Sequence, residues 1–371
     1  MQVVRVVFWL LIILAAASAN AFPEMIRLGY VNCTACHVAP NGGRLLTDYG
    51  RSISSEALST WAAPKEELPG HGFLPEPPAW LKIGGDIRLI QTYVDNAQAT
   101  ATSAFPMQTD FDFGLNFGKF WYVQSLGVQG GPDGAPGKGE FVAHTYYAMY
   151  NPTEESYTRA GKYLLPYGLN IPDHTSFIKR NLGFDQGQET YNIDAGTIGE
   201  QWNFIGALSF GRKDNRNVDL ESGASFQMAY NLGDTHKLMG SFAYLKNDTA
   251  KTHRYLLGPQ ILWAFNAKWI FLGEYDYQEK VTESPTKSSQ KGAVTYSRLQ
   301  YEWTKGFHSY LLHQFSYLDF TQLRTRVNST GLGVLWYPRP HFELMAEVDY
   351  SEVAEINAYN TVSWLLGHYY F

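Results

Sequence analysis

From residue 81 to the end of the chain, apolar and polar residues alternate one by one. In MQTDFDFGLNFG, residues 107–118, the odd positions hold Met, Thr, Phe, Phe, Leu and Phe, and the even positions hold Gln, Asp, Asp, Gly, Asn and Gly. HFELMAEVDYS, residues 341–351, repeats the pattern. Successive side chains of a strand point to opposite faces. Alternation over about ten residues is typical of a membrane-barrel strand, with lipid on one face and water on the other.

About sixteen segments of this kind follow one another. They are predicted near 81–94, 107–118, 120–129, 139–150, 156–165, 188–196, 201–211, 221–231, 236–246, 253–264, 267–279, 292–304, 307–318, 327–337, 340–351 and 360–371. Their connections alternate between tight turns and longer polar loops, as expected when periplasmic turns alternate with extracellular loops. The sequence therefore predicts an all-β protein, a transmembrane antiparallel β-barrel of about 16 strands over 79–371, with both barrel ends on the periplasmic side. A soluble β-sandwich or β-helix is the alternative, but sandwiches do not usually need so many Tyr and Trp near strand ends.

The composition narrows the class of protein. Only 17% of the 371 residues are charged, the formal net charge is -6, and no basic patch appears, which argues against a nucleic-acid partner. At the N-terminus one Arg precedes an apolar run that ends in a small-x-small site, so residues 1–21 are predicted to be a secretory signal peptide. An uncleaved anchor helix is the alternative, but the run is short for one. Residues 22–78 form a Gly- and Pro-punctuated head and linker, with one short helix predicted near 54–61.

The head contains the only two cysteines of the chain, in CTACH. C-x-x-C-H is the attachment pattern of c-type haem, because two thiols can form thioethers and the next imidazole can bind the iron. Cys33 and Cys36 are thus predicted to hold one covalent haem c, with His37 as the proximal ligand of the iron. For the second axial position the sequence offers His71 first and Met25 second. A thioredoxin-type redox pair, a zinc site and a plain disulfide are the alternatives.

The longest connection between predicted strands is the third long one, 166–187. In sixteen-stranded porins the third loop commonly folds inward and narrows the pore. Charged side chains in such a loop would form a constriction that selects ions. The candidates are Asp173, His174, Lys179, Arg180 and Asp185. An ordinary solvated surface loop is the alternative.

Acidic residues on the polar side of two predicted strands could attract cations into the lumen. These positions are Asp110, Asp112, Glu343, Glu347 and Asp349. The alternative is a pore wall that is merely hydrated.

The order of signal peptide, one C-x-x-C-H head and a long barrel resembles the fused monohaem cytochrome–porins of the bacterial outer membrane, including those that oxidise extracellular iron. The terminal LLGHYYF also resembles the ending of bacterial outer-membrane barrels. The resemblance implies a location in the outer membrane of a Gram-negative bacterium, with the haem head on the periplasmic side or inside the barrel. It implies electron transfer between an extracellular donor or acceptor and a periplasmic carrier, with Fe(II) oxidation as one candidate activity. It names outer-membrane lipid as a partner and leaves a homotrimer open.

Two other functions remain open from the sequence. The first is a diffusion porin for small solutes, in which the head is a plug or gate. The second is a haem-based sensor with an open coordination position at the iron. No Ser-His-Asp, phosphate-loop or repeated zinc motif rises above chance in the chain.

Overall fold

The computed structural model describes residues 23–96, 98–135, 137–213, 219–354 and 358–371. The predicted signal peptide, 1–21, lies outside the described residues. Sixteen strands close into one antiparallel barrel in which β1 pairs with both β2 and β16. The strands are β1 Leu81–Asn96, β2 Thr100–Phe117, β3 Phe120–Gln129, β4 Phe141–Tyr150, β5 Ser156–Tyr163, β6 Thr190–Ile198, β7 Trp202–Lys213, β8 Asp219–Asn231, β9 His236–Asn247, β10 Thr252–Ala264, β11 Trp269–Thr282, β12 Ser288–Thr304, β13 Phe307–Tyr317, β14 Arg326–Trp336, β15 Phe342–Val353 and β16 Ala358–Tyr370. The predicted all-β, sixteen-stranded barrel is confirmed.

The alternating pattern separates the two faces of the wall as predicted. Phe111 is 47% exposed on the outer face, while its neighbours Asp110 and Asp112 are buried in the lumen. On β15, Val348 is exposed outward, and Glu343, Glu347 and Asp349 are buried on the lumen side. One face of each strand is therefore apolar toward lipid, and the other builds a polar interior.

A belt of aromatic rings surrounds the barrel at the end that carries the tight turns. Tyr150 packs on Phe120 and Tyr230 on Trp202, each with ring centroids 4.6 Å apart. Such belts lie at the membrane–water interface. Tight turns are typical of the periplasmic side of outer-membrane barrels, so we call this end the periplasmic end.

Two local predictions are wrong in their boundaries. The first long loop, predicted before residue 107, is a short hairpin, because Ala101 and Thr102 pair with Val94 and Tyr93 and extend β2 back to Thr100. Its small polar residues carry little periodic signal, and only the ladder with β1 makes them a strand.

The head helix begins earlier than predicted. It runs over Asp48–Ile53 and continues as a wider helical turn over Ser54–Leu58. Thr47 sets its start, because the Thr47 hydroxyl accepts a hydrogen bond of 3.0 Å from the backbone N–H of Gly50. Among the described residues, no helix combines the length and the apolar character needed to cross a bilayer.

Residues 24–59 lie inside the barrel at its periplasmic end, and we call this segment the plug. Its apolar side chains, such as Met25, Ile26 and Ile53, join lumen-facing residues of the wall in one buried cluster. The plug therefore shares a core with the wall. Such sharing lets a short segment, too small to build a sizeable core alone, fold stably.

Candidate functional site

The first anchor of the plug is Arg27, which forms a two-pronged ion pair with Glu302 near the end of β12. The two N···O distances are 2.5 and 3.0 Å, and a third hydrogen bond of 2.9 Å reaches the carbonyl of Ala267 in the β10–β11 turn. The side chains of Arg27 and Glu302 retain 2% and 12% exposure. A buried pair of this geometry fixes position strongly, because removing one member leaves an uncompensated charge.

The second anchor is Asn32, which joins the plug to β7, β9 and the β6–β7 turn. Its amide donates to the carbonyl of Gly199 at 2.9 Å, and its side-chain oxygen accepts from Asn203 at 2.6 Å and from Lys237 at 3.2 Å. Lys237 also donates to the carbonyl of Val31 at 2.7 Å. The segment immediately before the cysteine motif is thus fixed to neighbouring strands on one side of the wall.

The third anchor is Arg44 on the opposite side of the lumen. Its guanidinium lies 2.7 Å from Asp110 and 3.9 Å from Asp112, and it donates to the hydroxyl of Ser125. Burial disfavours the charged guanidinium, but the two carboxylates outweigh it and raise the pKa of Arg44. Two of the acidic positions predicted to attract cations therefore hold a cation that belongs to the chain itself.

The third extracellular loop, 164–189, crosses the lumen above the plug, so the expectation of an inward-folding loop is met. The backbone N–H of Leu169 donates to Glu274 at 2.7 Å, and the hydroxyl of Tyr167 donates to Asp276 at 2.7 Å. Farther along the loop, the backbone N–H of Phe177 donates to Gln314 of β13 at 2.7 Å. The loop leaves from β5 and returns to β6, so these contacts with β11 and β13 carry it across the lumen.

The plug and the third loop touch each other inside the lumen. The side-chain amide of Asn170 donates to the carbonyls of Asn41 and Gly42, at 2.8 and 3.2 Å. Two cavities adjoin this contact, one of about 120 Å³ lined by Cys33 and one of about 210 Å³ lined by His37. Residues 41–43 line both cavities and separate them.

The five constriction candidates divide into two groups. Nδ1 of His174 and a carboxylate oxygen of Asp185 are 2.5 Å apart, and both residues, like the buried Lys179, lie on the inward part of the loop. Asp173 caps the same turn by accepting hydrogen bonds from Thr175. Arg180 is exposed and lies along a separate cavity, of about 480 Å³, lined by extracellular parts of the loops and strands. The structure therefore brings four of the five candidates to the lumen and places Arg180 away from it.

The charges of this loop are shifted by burial and by pairing. Burial lowers the pKa of Lys179, against the opposing effect of Asp185 and Asp173. Burial alone would raise the pKa of Asp185, but the hydrogen bond and charge of His174 outweigh burial and lower it. The carboxylate of Asp185 thus stays ionised and holds the His174 ring.

The C-x-x-C-H motif forms one tight helical turn, in which the backbone N–H groups of Cys36 and His37 donate to the carbonyl of Cys33 at 3.2 and 3.0 Å. The two cysteines are not joined in a disulfide. A Cβ added at Gly42 would lie 3.2 Å from the sulfur of Cys33 and 3.7 Å from the ring of His37. The thiol of Cys33 and the imidazole of His37 therefore converge on one small residue.

These donors match the chemistry that a c-type haem needs, since two thiols and an imidazole lie in one turn. The cavities beside these donors are small for such a group. Each cavity is smaller than the ~300–1,000 Å³ of ordinary cofactor pockets. A porphyrin at Cys33 and His37 would therefore require side chains that line both cavities, such as Asn41 and Asn170, to move.

The structure does not bring His71 near the motif, and this correction has a clear cause. The His71 ring stacks on Tyr369 at 5.5 Å and lies 5.4 Å from Phe342, both on the outer face of the wall, whereas His37 faces the lumen. His71 therefore cannot be the distal ligand in this arrangement. Met25, the second choice, is fully buried in the same apolar cluster as Cys36.

Several residues of the site were not singled out from the sequence. Arg27 and Arg44 are lone basic residues in the head, with no local pattern that reveals a partner. Arg159 on β5 is another: it pairs with Asp194 at 2.7 Å and lies 3.8 Å over the ring of Tyr163. Of these three, only Arg159 could have been recognised from the sequence, because the alternation of its predicted strand places it on the inward face. Among the described residues, no group of three or more His, Cys, Asp or Glu side chains is placed to hold a metal ion.

Comparisons with known proteins show that solved outer-membrane proteins share this fold. No protein-family model matches the chain, and no curated protein matches its sequence. Solved structures do match in fold. A loop-deletion mutant of OmpT, an outer membrane protein of Vibrio cholerae, has a TM-score of 0.60 at 10% identity, covering 78% of this chain and 99% of its own. The outer membrane channel DcaP of Acinetobacter baumannii scores 0.58 at 10% identity, covering 78% and 97%. An anion-selective porin from Comamonas acidovorans scores 0.60 at 11% identity, covering 78% and 99%. The chain thus has the fold of the outer-membrane porins, a closed sixteen-stranded antiparallel barrel.

Proposed function

We propose that this protein is an outer-membrane channel for small hydrophilic solutes whose own N-terminal segment occupies the periplasmic mouth. The observation that carries the proposal is the contact of the plug with the third loop inside a closed barrel, through Asn170, Asn41 and Gly42. A polar lumen is the hallmark of a barrel that conducts water and solutes. The likeness of the fold to solved channels and porins supports the same conclusion.

The plug acts as a gate in this proposal. It is held by Arg27, Asn32 and Arg44, each on a different part of the wall. Solutes pass when these contacts open and the plug leaves its position beneath the third loop. Lumen charges such as His174 and Asp185 then face the solute.

Reconstitution tests the gate. Full-length protein in planar bilayers is expected to show low, intermittent conductance, because the plug fills the mouth. A variant with Arg27→Met and Arg44→Met is expected to show a higher open probability and faster solute entry into proteoliposomes. A matched control is Lys82→Met, since the partner Asp48 is 74% exposed and the pair contributes little. A double variant that folds, inserts and stays as closed as the control contradicts the proposal.

Electron transfer is the second candidate, and the convergence of Cys33 and His37 on Gly42 favours it. A bound haem supplies a one-electron iron couple there. Cys33 and Cys36 would anchor the group, and His37 would ligate the iron from inside the lumen. The surrounding wall would exclude bulk water and set the charge near the group. An extracellular donor or acceptor, Fe(II) among the candidates, and a periplasmic carrier would then be the partners.

A visible spectrum separates the two candidates. Membrane-extracted protein with a reduced-minus-oxidised absorbance band, and electron flow into proteoliposomes that His37→Ala abolishes, would support electron transfer. Solute flux in a colourless preparation would support the channel alone. The mass of the extracted assembly tests the homotrimer, which belongs to the proposal in either case.

A further inference from the structure

The chain leaves the lumen over the rim of the barrel after the plug. The backbone N–H groups of Thr60 and Trp61 donate to the carbonyls of Tyr337 and Pro338, at 2.8 and 3.1 Å, in the β14–β15 turn. The Trp61 ring meets the Trp336 ring edge-on at 5.8 Å and is 56% exposed. We call residues 60–80, which connect the plug to β1, the strap.

The strap then lies against the outside of the wall. The His71 ring stacks on Tyr369 and packs beside Phe342. Alternation along β16 puts Tyr369 on the outer face, since the adjacent Tyr370 is buried inside. Phe342 and Tyr369 pack on each other at 4.9 Å and belong to the periplasmic aromatic belt. The strap therefore sits at the level of the membrane interface.

A sharp reversal turns apolar side chains away from the protein. Gly70, His71 and Gly72 have φ values of 57°, 54° and 77°, the left-handed region that residues other than Gly rarely adopt. The reversal leaves Phe73 91% exposed and Leu74 47% exposed. Exposed apolar side chains grouped on one short segment mark an interaction surface.

Charged side chains of both signs lie near this apolar group, since the strap contains Lys65 together with Glu66, Glu67 and Glu76. A Cβ at Gly72 would lie 3.2 Å from the Cβ of Lys65, so Lys65 borders the position of Phe73. Arg339 of the β14–β15 turn pairs with Glu66 of the strap and keeps 45% exposure. An apolar tip with a cation beside it matches a phospholipid, whose acyl chains meet the apolar part and whose phosphate meets the charge.

We propose that the strap is an interfacial anchor that binds phospholipid of the periplasmic leaflet, with Phe73 and Leu74 entering the acyl-chain region and Lys65 contacting the phosphate layer. This inference rests on the proposed position of the barrel in the membrane. The main support is that the strap continues the lipid-facing surface of the wall, because His71 packs directly on two outward rings of that wall. The anchor holds the chain on the lipid side of the rim while the plug occupies the lumen.

Photolabelling in proteoliposomes tests the anchor. The full-length protein is reconstituted with phosphatidylethanolamine that carries a diazirine on its acyl chain, irradiated, digested and mapped by mass spectrometry. The wall peptide with Leu344 is the positive reference, since Leu344 is 43% exposed on the outer face. The peptide with Tyr49 is the negative reference, because Tyr49 is 39% exposed but belongs to the plug within the mouth.

The expected result is labelling of the Phe73 peptide within about threefold of the wall peptide and well above the Tyr49 peptide. Phe73→Asp with Leu74→Asp is expected to lower the strap signal to the Tyr49 level and to leave wall labelling unchanged. Phe73→Leu is expected to keep the signal, since the apolar character remains.

Two results would overturn the inference. In the first, the wall peptide is labelled but the strap peptide stays at the Tyr49 level in the wild type. In the second, the wall peptide is labelled but the strap peptide is not, and the double Asp variant converts an oligomer to a monomer. That result would assign the strap to contacts between copies of the chain. Absence of label from the wall peptide itself would refute the membrane position, and with it the proposed function, and is therefore distinguishable from both.

Discussion

Replacing Arg27 with Met removes the buried ion pair that attaches the plug to the end of β12. The substitution keeps most of the apolar length of the side chain but leaves Glu302 buried without its partner, at 12% side-chain exposure. Two hydrogen bonds to the carboxylate and one to the carbonyl of Ala267 disappear together.

The structure sets the magnitude of this effect. Removing one member of a buried ion pair costs about 3–5 kcal/mol, mostly because the remaining charge stays desolvated. Each 1.4 kcal/mol is a factor of ten, so the undocked population of the plug should rise by roughly a hundredfold to a few thousandfold. Glu302→Gln combined with Arg27→Met should recover part of the loss, because the buried charge is then gone.

Hydrogen exchange of the backbone amides of residues 24–31, with the protein in lipid, measures this population directly. Lys82→Met is the matched control, since its partner Asp48 is mostly exposed and such pairs contribute about 0–1 kcal/mol. Open probability in planar bilayers supplies a second measurement. Unchanged exchange in Arg27→Met, at the level of the Lys82→Met control, would refute the view that this pair holds the plug.

Three further outcomes are expected. Gly168→Ala should destabilise the docked third loop, because left-handed backbone costs Ala ~1–2 kcal/mol and the new Cβ would also push aside the Glu274 carboxylate; faster exchange of the loop amides would show it. Gly233→Ala, with a similar φ in open space, is the control and should cost only the backbone part. Burial lowers the pKa of His341, in the β14–β15 turn, to about 4. Below about pH 6.5 the unfolded chain therefore binds a proton that the folded protein does not, and the free energy of unfolding falls by about 1.4 kcal/mol per pH unit between about 6.5 and 4. His341→Gln should flatten that part of a stability-versus-pH curve, and an unaltered curve would contradict the assignment. Cys33→Ser should weaken covalent haem staining of the denatured protein relative to wild type, and a wild type that does not stain would contradict haem attachment.

The alternation of residues predicted the barrel because strand geometry is local. Every second side chain faces lipid, so Phe111 between Asp110 and Asp112 already specifies which face is which. Where that signal is weak, as in the small polar residues that begin β2 at Thr100, the prediction failed and only the ladder with β1 defines the strand.

The site could be predicted only in part. The inward course of the third loop followed from its length and position in the chain, and His174 and Asp185 do lie on its inward part. His71 was misplaced, because its sequence position in the head gave no indication that the strap leaves the lumen and packs on the outer face. The partners of Arg27 and Asn32 lie 275 and 171 residues away, beyond the reach of any local pattern.

The sequence alone determined the type of wall, the number of strands, the position of both barrel ends beside the tight turns and the motif at Cys33, Cys36 and His37. Each of these depends on the spacing of neighbouring residues, which the geometry of a strand or of one helical turn converts directly into structure. The tertiary structure alone decided that the head fills the lumen and meets the third loop at Asn170, and that the strap crosses to the lipid side. Those outcomes depend on burying charges such as Arg27 and Arg44 against carboxylates that the closed barrel brings to one place, and closure is a property of all sixteen strands together.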